Sequence, residues 1–298
     1  MALEIVEPLD RWLRSQEGLE QLASTVQGCL HDWRSRSPAN KRLSDFFNGT
    51  WLGHSLHATL TDLTIGAWTG ALLLDGAAAA ADDERLAAGV NALLAVGLAS
   101  VPATALAGTA DWQYTSGRDR RVGVAHALAN ATVGTLMAAS LALRLAGRPD
   151  RPSGAARLLS TLGYLGLLGG AYLGGDLAYR FGVGVNREAW APPLDDFTAV
   201  LDAAALEEGQ PRRVEANGRA ILLVRQGSEV YAISDVCTHM GGPLSEGKLS
   251  DGCVTCPWHG STFSLADGKV RAGPATMPEE AFEVRVRDGK IEVRSRSE

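Results

Sequence analysis

The chain has 298 residues, with 28 Lys and Arg against 34 Asp and Glu, a formal net charge of -6. That length suits about two domains, the acidic balance argues against a nucleic-acid partner, which calls for a basic surplus, and the 4 cysteines exclude a disulfide scaffold. Hydrophobic residues at 46% and charged residues at 21% exclude general disorder, and a mean hydropathy near zero averages two dissimilar halves.

The first residues, Met1 to Glu4, carry no basic cluster and no apolar run, so no secretory or twin-arginine signal is read there. Leu9, Trp12, Leu13, Leu19, Leu22, Val26, Leu30 and Trp33 then recur at roughly helical spacing among charges. Residues 1–42 are expected as an amphipathic helical segment packed on its own domain rather than lying on a membrane surface.

Four long apolar segments follow. Leu86 to Ala110 has no Asp, Glu, Lys or Arg in 25 residues, Val122 to Leu143 none in 22, Leu158 to Gly175 none in 18, and Trp51 to Leu74 only Asp62 in 24. A bilayer span takes about 20 mostly apolar residues. A water-soluble bundle would need a polar stripe, which the middle two segments lack. Abundant Gly and Ala suit membrane helices that approach closely. The expectation is a four-helix transmembrane domain over 43–190, with spans at about 51–74, 86–110, 122–146 and 158–181.

The connections Asp75 to Arg85, Asp111 to Arg121 and Gly147 to Arg157 are short, so neighbouring helices run antiparallel and both ends of the bundle lie on one side. That side holds nine basic residues (Arg34, Arg36, Lys41, Arg42, Arg118, Arg120, Arg121, Arg180 and Arg187) and the other five (Arg85, Arg144, Arg148, Arg151 and Arg157). The positive-inside rule then puts both termini in the cytoplasm of a multi-pass inner-membrane protein.

Ionisable residues at membrane depth are functional candidates. His54, His57, Asp111, His126 and Asp176 all fall at the end of the bundle that carries the termini, and Asp62 lies roughly 12 Å deeper at about 1.5 Å per residue. His57 and His126 sit at similar depths on different helices, the arrangement needed for two axial imidazoles on a haem b iron. Gly66, Ala129 and Gly134 are the small residues nearby. A hydrogen-bonded network pinning the helices, with Asn130 included, and a proton path are the other readings of the same set. All three stay open.

The run LSDFFNGTWLGHSLHATLTDLTIGAWTGALLLD from Leu43, with HALANATVG and YLGGDLAYRFGVGV, resembles a family of four-helix bacterial membrane proteins of uncharacterised function over roughly residues 40 to 190. The resemblance implies a membrane location. Members often carry His where this chain has Asp176, so a ligand at that position would be absent here.

From about Leu194 the composition changes to short β-type runs at 220–225, 229–233, 253–256, 282–286 and 290–294, with hairpin signals at Asp267-Gly268 and Asp288-Gly289. Residues 194–298 are expected as a small all-β domain. It contains Cys237-Thr-His239, then 16 residues, then Cys256-Pro-Trp-His259. Two Cys-His pairs fit tetrahedral zinc or a 2Fe-2S centre with two Cys on one iron and two His on the other. Zinc fingers, however, group their Cys pair apart from their His pair.

CTHMGGPL and CPWHGSTF closely resemble the two cluster loops of the Rieske fold, and VYAISDVCTH and LADGKVRAGPA match its flanks. The fold class expected for the whole chain is therefore multidomain α plus β, a four-helix transmembrane bundle followed by a small all-β Rieske domain. The resemblance implies Cys237 and Cys256 on the inner iron and His239 and His259 on the outer, more exposed iron. The Rieske protein of cytochrome bc complexes joins its loops by a disulfide whose cysteines correspond to Gly242 and Trp258 here, so that bridge cannot form. Ser261 matches a hydroxyl donor to the cluster, but the Tyr donor position is Phe263. Fewer donors imply a low to intermediate potential. Met240, Trp258 and Pro274 are expected to shield the cluster. Cys253 reads as a packed thiol and Cys29 as an ordinary helix residue, and the absence of disulfide pairs suits a reducing compartment.

With residues 260–298 following the second loop, a complete Rieske oxygenase with its mononuclear-iron domain is not expected, and no glycine loop for NAD(P)H follows an expected strand. The functional expectation is membrane-bound one-electron transfer with a redox partner protein (reductase, oxygenase or oxidase), the bundle anchoring the domain among lipid or relaying electrons to haem or quinone. The alternative is a membrane-anchored redox sensor or a structural cluster-binding protein.

Overall fold

The computed structural model describes residue 8 and residues 11–12, 15–81, 83, 85–147 and 153–296. Leu9 and Leu13 of the expected amphipathic face, and Arg148 and Arg151 of the charge count, lie outside the described residues. Six α-helices come first among those described: α1 (Glu17–Ser35), α2 (Pro38–Asn48), α3 (Leu56–Ala81), α4 (Arg85–Trp112), α5 (Gly117–Ala146) and α6 (Gly154–Gly175), the last continued by a π-helical turn, Asp176–Arg180. Strands β1 (Thr198–Asp202) to β10 (Lys290–Ser295) follow. The chain divides into two compact units, Met1–Pro38 with Leu56–Val183, and Ala39–Ser55 with Gly184–Glu298.

In the first unit, α3, α4, α5 and the helix Gly154–Arg180 are each long and apolar enough to cross a membrane. They form two tight hairpins, α3 with α4 and α5 with α6, closed by thinner α4–α5 and α3–α6 contacts. Side chains are distributed as lipid dictates. Leu63, Leu73, Leu106, Leu128, Leu158 and Leu165 face outward, while Ala67, Ala71, Ala87, Ala107 and Ser140 are buried. Lipid tails are as apolar as leucine, so nothing drives large side chains inward and close packing of small ones holds the helices together. Trp68 and Met137 lie against Gly97 and Gly163 of the partner helix in each hairpin. The first span starts at Leu56 rather than near residue 51, because Gly49 and Gly53, both at positive φ, turn the chain after α2.

Helix α1 packs on its own unit through polar groups. Gln27 Nε2 donates to the carbonyls of Trp112 and Thr115, and Glu20 pairs with Arg120 and Arg121. The apolar positions Trp12, Leu22 and Val26 remain exposed, so the expected apolar stripe is not what docks this segment.

The second unit holds three antiparallel sheets of order β1-β10-β9, β2-β3-β4 and β5-β6-β7-β8. Asp288-Gly289 turns β9 (Phe282–Arg287) into β10 with both residues at positive φ, as a two-residue hairpin requires. Asn217-Gly218 does the same between β2 (Arg212–Ala216) and β3 (Arg219–Gln226), and Asp251-Gly252 between β5 (Lys248–Ser250) and β6 (Cys253–Thr255). One apolar core, including Leu222, Ile233, Leu244, Val254, Phe263 and Leu265, lies beneath the two cysteine loops. A second, around Leu194, Ile221, Phe282 and Ile291, joins the remaining sheets.

Candidate metal centre

Two loops of this unit repeat one backbone device. The first leaves β4 (Glu229–Ser234), and the second joins β6 to β7 (Thr262–Ser264). In the first, Cys237 N donates to Gly242 O at 2.9 Å and Gly241 N to Cys237 O at 2.7 Å; in the second, Cys256 N donates to Ser261 O at 2.8 Å and Gly260 N to Cys256 O at 3.1 Å. The fourth residue after each cysteine is a glycine at positive φ, +81° at Gly241 and +77° at Gly260, which an L side chain rarely tolerates. Two equivalent turns therefore present one sulfur and one imidazole each.

Cys237 and Cys256 are buried and hydrogen-bonded to each other. His239 and His259 are half-buried, their ring centroids 5.1 Å apart and their planes at 88°. Among the described residues no three His, Cys, Asp or Glu side chains converge on one ion. A two-iron centre takes its ligands as two pairs. As thiols, the pair divides its protons unequally. Accepting from Cys237 draws the Cys256 thiol down, helped by the N–H groups of Trp258 and His259, while the hydrogen bond to Cys256 and burial push Cys237 up. The thiolate is the form that binds iron. The surroundings also fit a bulky sulfur-bridged group, since a Cβ on Gly242 would come within 2.9 Å of Cys256 Sγ and 3.0 Å of the Trp258 ring.

Residues 242 and 258 thus face each other. Trp258 is 56% exposed, whereas Pro274 is buried. Met240 is half-buried. Ser261 is fully buried and its Oγ accepts from Ala275 N at 2.9 Å, which leaves its hydroxyl proton to donate. Phe263 fills the core and offers no hydroxyl. Cys253 is half-buried and Cys29 exposed, both as free thiols.

Several supporting residues were not legible as such. Asp235, fully buried, accepts from Ser245 N at 2.6 Å and Arg213 at 2.9 Å and so braces the exit of the first loop. Glu279 accepts from Thr238 N at 2.8 Å, between the first Cys and His. Burial pushes the Glu279 carboxyl well above the usual range. From α2, Asp45 accepts from Gly273 N at 3.1 Å and Lys41 donates to Gly273 O at 2.9 Å, and from the turn after it Thr50 donates to Ala275 O at 3.2 Å. The Gly273–Pro274–Ala275 segment is thereby tied to residues 41–50.

Residues 196–287 match the family model described as the Rieske [2Fe-2S] domain. The ferredoxin CarAc of Metapseudomonas resinovorans is 40% identical over 95 residues, 32% of this chain and 89% of that protein. The chain belongs to the Rieske [2Fe-2S] family. The anthranilate 1,2-dioxygenase ferredoxin subunit of Burkholderia cepacia is 34% identical over 106 residues, 35% of this chain and 90% of that subunit. Apoptosis-inducing factor 3 of Homo sapiens is 38% identical over 97 residues, and there the match spans 33% of this chain but only 16% of that protein. Ahead of the Rieske domain, residues 53–187 match a predicted membrane protein family, DUF2231. The cofactor of the Rieske domain is a 2Fe-2S cluster, and its role is electron transfer.

The polar residues expected inside the membrane bundle are not brought together as one set. His54 lies outside α3, exposed, with Nδ1 on Ser55 O. Asp62 is exposed on the outer face of α3, because the helical repeat turns it away from His57. Asp176 begins the π-helical turn and pairs with Arg180 at 3.6 Å. His57 and His126 do meet, with ring centroids 6.3 Å apart. Gly66 and Gly134 have nothing within 4 Å of a built Cβ; the glycines against the imidazoles are Gly108 and Gly174. At the opposite end of the hairpins, Arg144, fully buried, pairs with Asp75 and lies 3.4 Å from Ser140 Oγ. Arg144 thus lies buried within α5 and not in the loop where the basic-residue count places it.

Proposed function

We propose that this chain is a membrane-bound one-electron carrier in which Cys237 and Cys256 hold the inner iron of the cluster and His239 and His259 the outer iron. The observation that carries this reading is the pair of equivalent loops, each placing a buried sulfur beneath a half-exposed imidazole. When bound, the cluster supplies a one-electron couple. The cysteines seat it in the apolar core, the N–H groups of His239, Trp258 and His259 neutralise sulfur charge, and the imidazole edges form the route for electrons to a partner. Phe263, with no hydroxyl to donate, supports a low to intermediate potential.

The ferredoxin relatives carry names of dioxygenase systems, which supports a soluble reductase, oxygenase or oxidase as redox partner. The basic residues flanking the spans support a multi-pass inner-membrane protein with the Rieske domain and both termini in the cytoplasm. The bundle then anchors the domain and offers a relay to haem or quinone.

The test is paramagnetic resonance of the detergent-purified full chain. A Rieske signal on reduction, lost in Cys256→Ser while membrane insertion persists, is the expected result; a retained signal in that variant overturns the ligand assignment. For orientation, cleavage of the Rieske domain by protease added outside intact cells would overturn the cytoplasmic placement.

A further inference from the structure

His57 and His126 are held by one device used twice. His57, in the first turn of α3, places Nδ1 2.9 Å from Thr104 O of α4; His126, in α5, places Nδ1 2.8 Å from Gly170 O of α6. A carbonyl oxygen only accepts, so each Nδ1 carries the ring proton and each Nε2 is the ring's acceptor nitrogen, which at His126 takes the Asn130 amide N–H at 3.2 Å. This is the tautomer of a metal-ligating histidine whose other nitrogen is anchored by main chain. One helical turn beyond each carbonyl stands a glycine. A Cβ on Gly108 would lie 2.8 Å from His57 Cε1, and one on Gly174 would lie 3.1 Å from His126 Cε1. Each hairpin thus seats an imidazole against bare backbone of its second helix, and Asn130 Nδ2 lies beside the His126 ring at 3.2 and 3.3 Å from its nitrogens.

Helices α3 and α5 belong to different hairpins, and the two rings meet with centroids 6.3 Å apart and planes at 84°. Two imidazoles on opposite sides of one metal, each bonded at about 2 Å, have their centroids roughly 6 Å apart. A lone cation is poorly served here. Among the described residues no three His, Cys, Asp or Glu side chains converge, and protein zinc sites take three or four. Haem brings four nitrogens of its own and needs only two axial side chains. The geometry points to a haem b site with His57 and His126 as axial ligands. It deepens the relay reading above and rests on it, giving the electron a second stop inside the bundle.

The test uses the full chain, purified in detergent from haem-replete cells, with haem measured as the pyridine haemochrome and the Rieske signal recorded on the same sample. About one haem per cluster is expected, with a sharp reduced-minus-oxidised band, and at least a tenfold loss of haem in His57→Ala and in His126→Ala while the Rieske signal stays. Because an alanine variant could also unfold the bundle, His126→Met provides a second check: haem retained, with a raised potential. Haem-free protein with an intact Rieske signal overturns the haem site and leaves the electron-carrier reading standing. Haem that binds equally to wild type and both alanine variants is adventitious and overturns the site as well. Loss of the Rieske signal from the wild-type chain would instead sink the reading beneath it.

Discussion

Asp45 accepts the main-chain N–H of Gly273 at 3.1 Å, a contact spanning 228 positions of sequence. Asp45 also receives Lys41 at 2.8 Å, and Lys41 reaches on to Gly273 O. A short helix ahead of the first span is therefore part of the Rieske unit, and it grips the Gly273–Pro274–Ala275 segment. Gly273 is needed at this spot, since a Cβ would collide with Thr50 and Asp45.

Removing that carboxylate should loosen the segment without unfolding the sheets. A hydrogen bond to a charged group is worth about 1.5–3 kcal/mol, so Asp45→Ala should raise amide exchange at Gly273 and Ala275 by roughly tenfold or more. Asp45→Asn keeps an acceptor and should fall between. Unchanged exchange in Asp45→Ala would show that the clamp carries no energy.

Gly242→Ala should lower cluster occupancy, read as iron and acid-labile sulfide per chain. The new methyl group would press on Cys256 Sγ at 2.9 Å and on the Trp258 ring at 3.0 Å, a strain of about 1–3 kcal/mol. Trp258 is exposed and can move, but the sulfur cannot. Adding Trp258→Ala should therefore restore only part of the loss, and full restoration would show that the sulfur contact does not matter.

Asp75→Ala should be among the most damaging changes in the bundle. It leaves Arg144 buried and unpaired, which costs about 3–5 kcal/mol. Arg157 also approaches Asp75, at 3.4 Å. Replacing Asp75 and Arg144 together by Leu should recover much of the stability, because a buried ion pair gains little over apolar packing. The measurement is the thermal midpoint of the detergent-solubilised chain; equal midpoints for wild type and Asp75→Ala would refute the pairing.

Glu279 gives stability a pH slope of definite sign. Burial raises its folded pKa above the ordinary 4.5, and the negative charges of Glu188 and Cys256 act in the same direction against the hydrogen bonds of Thr238. Above the unfolded value the folded state holds more protons, so this group's stabilisation is present at low pH and lost as pH rises through the folded pKa. Glu279→Gln should flatten that decline at pH values above the ordinary carboxylate range. Denaturant titration of the Rieske signal at several pH values measures it, and an unchanged slope would remove Glu279 as its source.

The spans, the motif and the family were legible in local sequence because each is a local property. Charge-free runs of some 20 residues report solvent without reference to neighbours, and Cys-x-His with Cys-x-x-His reports a ligand set by spacing. The hairpins at Asn217-Gly218 and Asp251-Gly252 were equally readable from their turn residues and would have supplied β2 and β5. Other features depended on contacts between distant segments. Nothing near Asp45 names Gly273 as its partner, nothing near Glu279 names Thr238, and the burial of Arg144 follows from the position of Asp75 on another helix. His54, His57, Asp62 and His126 looked alike as polar residues in apolar helices. Only helix rotation and packing turned Asp62 outward and brought His57 to His126. Composition and spacing along the chain thus determined which solvent each half occupies and what chemistry it can bind. The packing of helices and loops decided which side chains meet, because a contact is set by the rotation and register of both elements and not by either sequence alone.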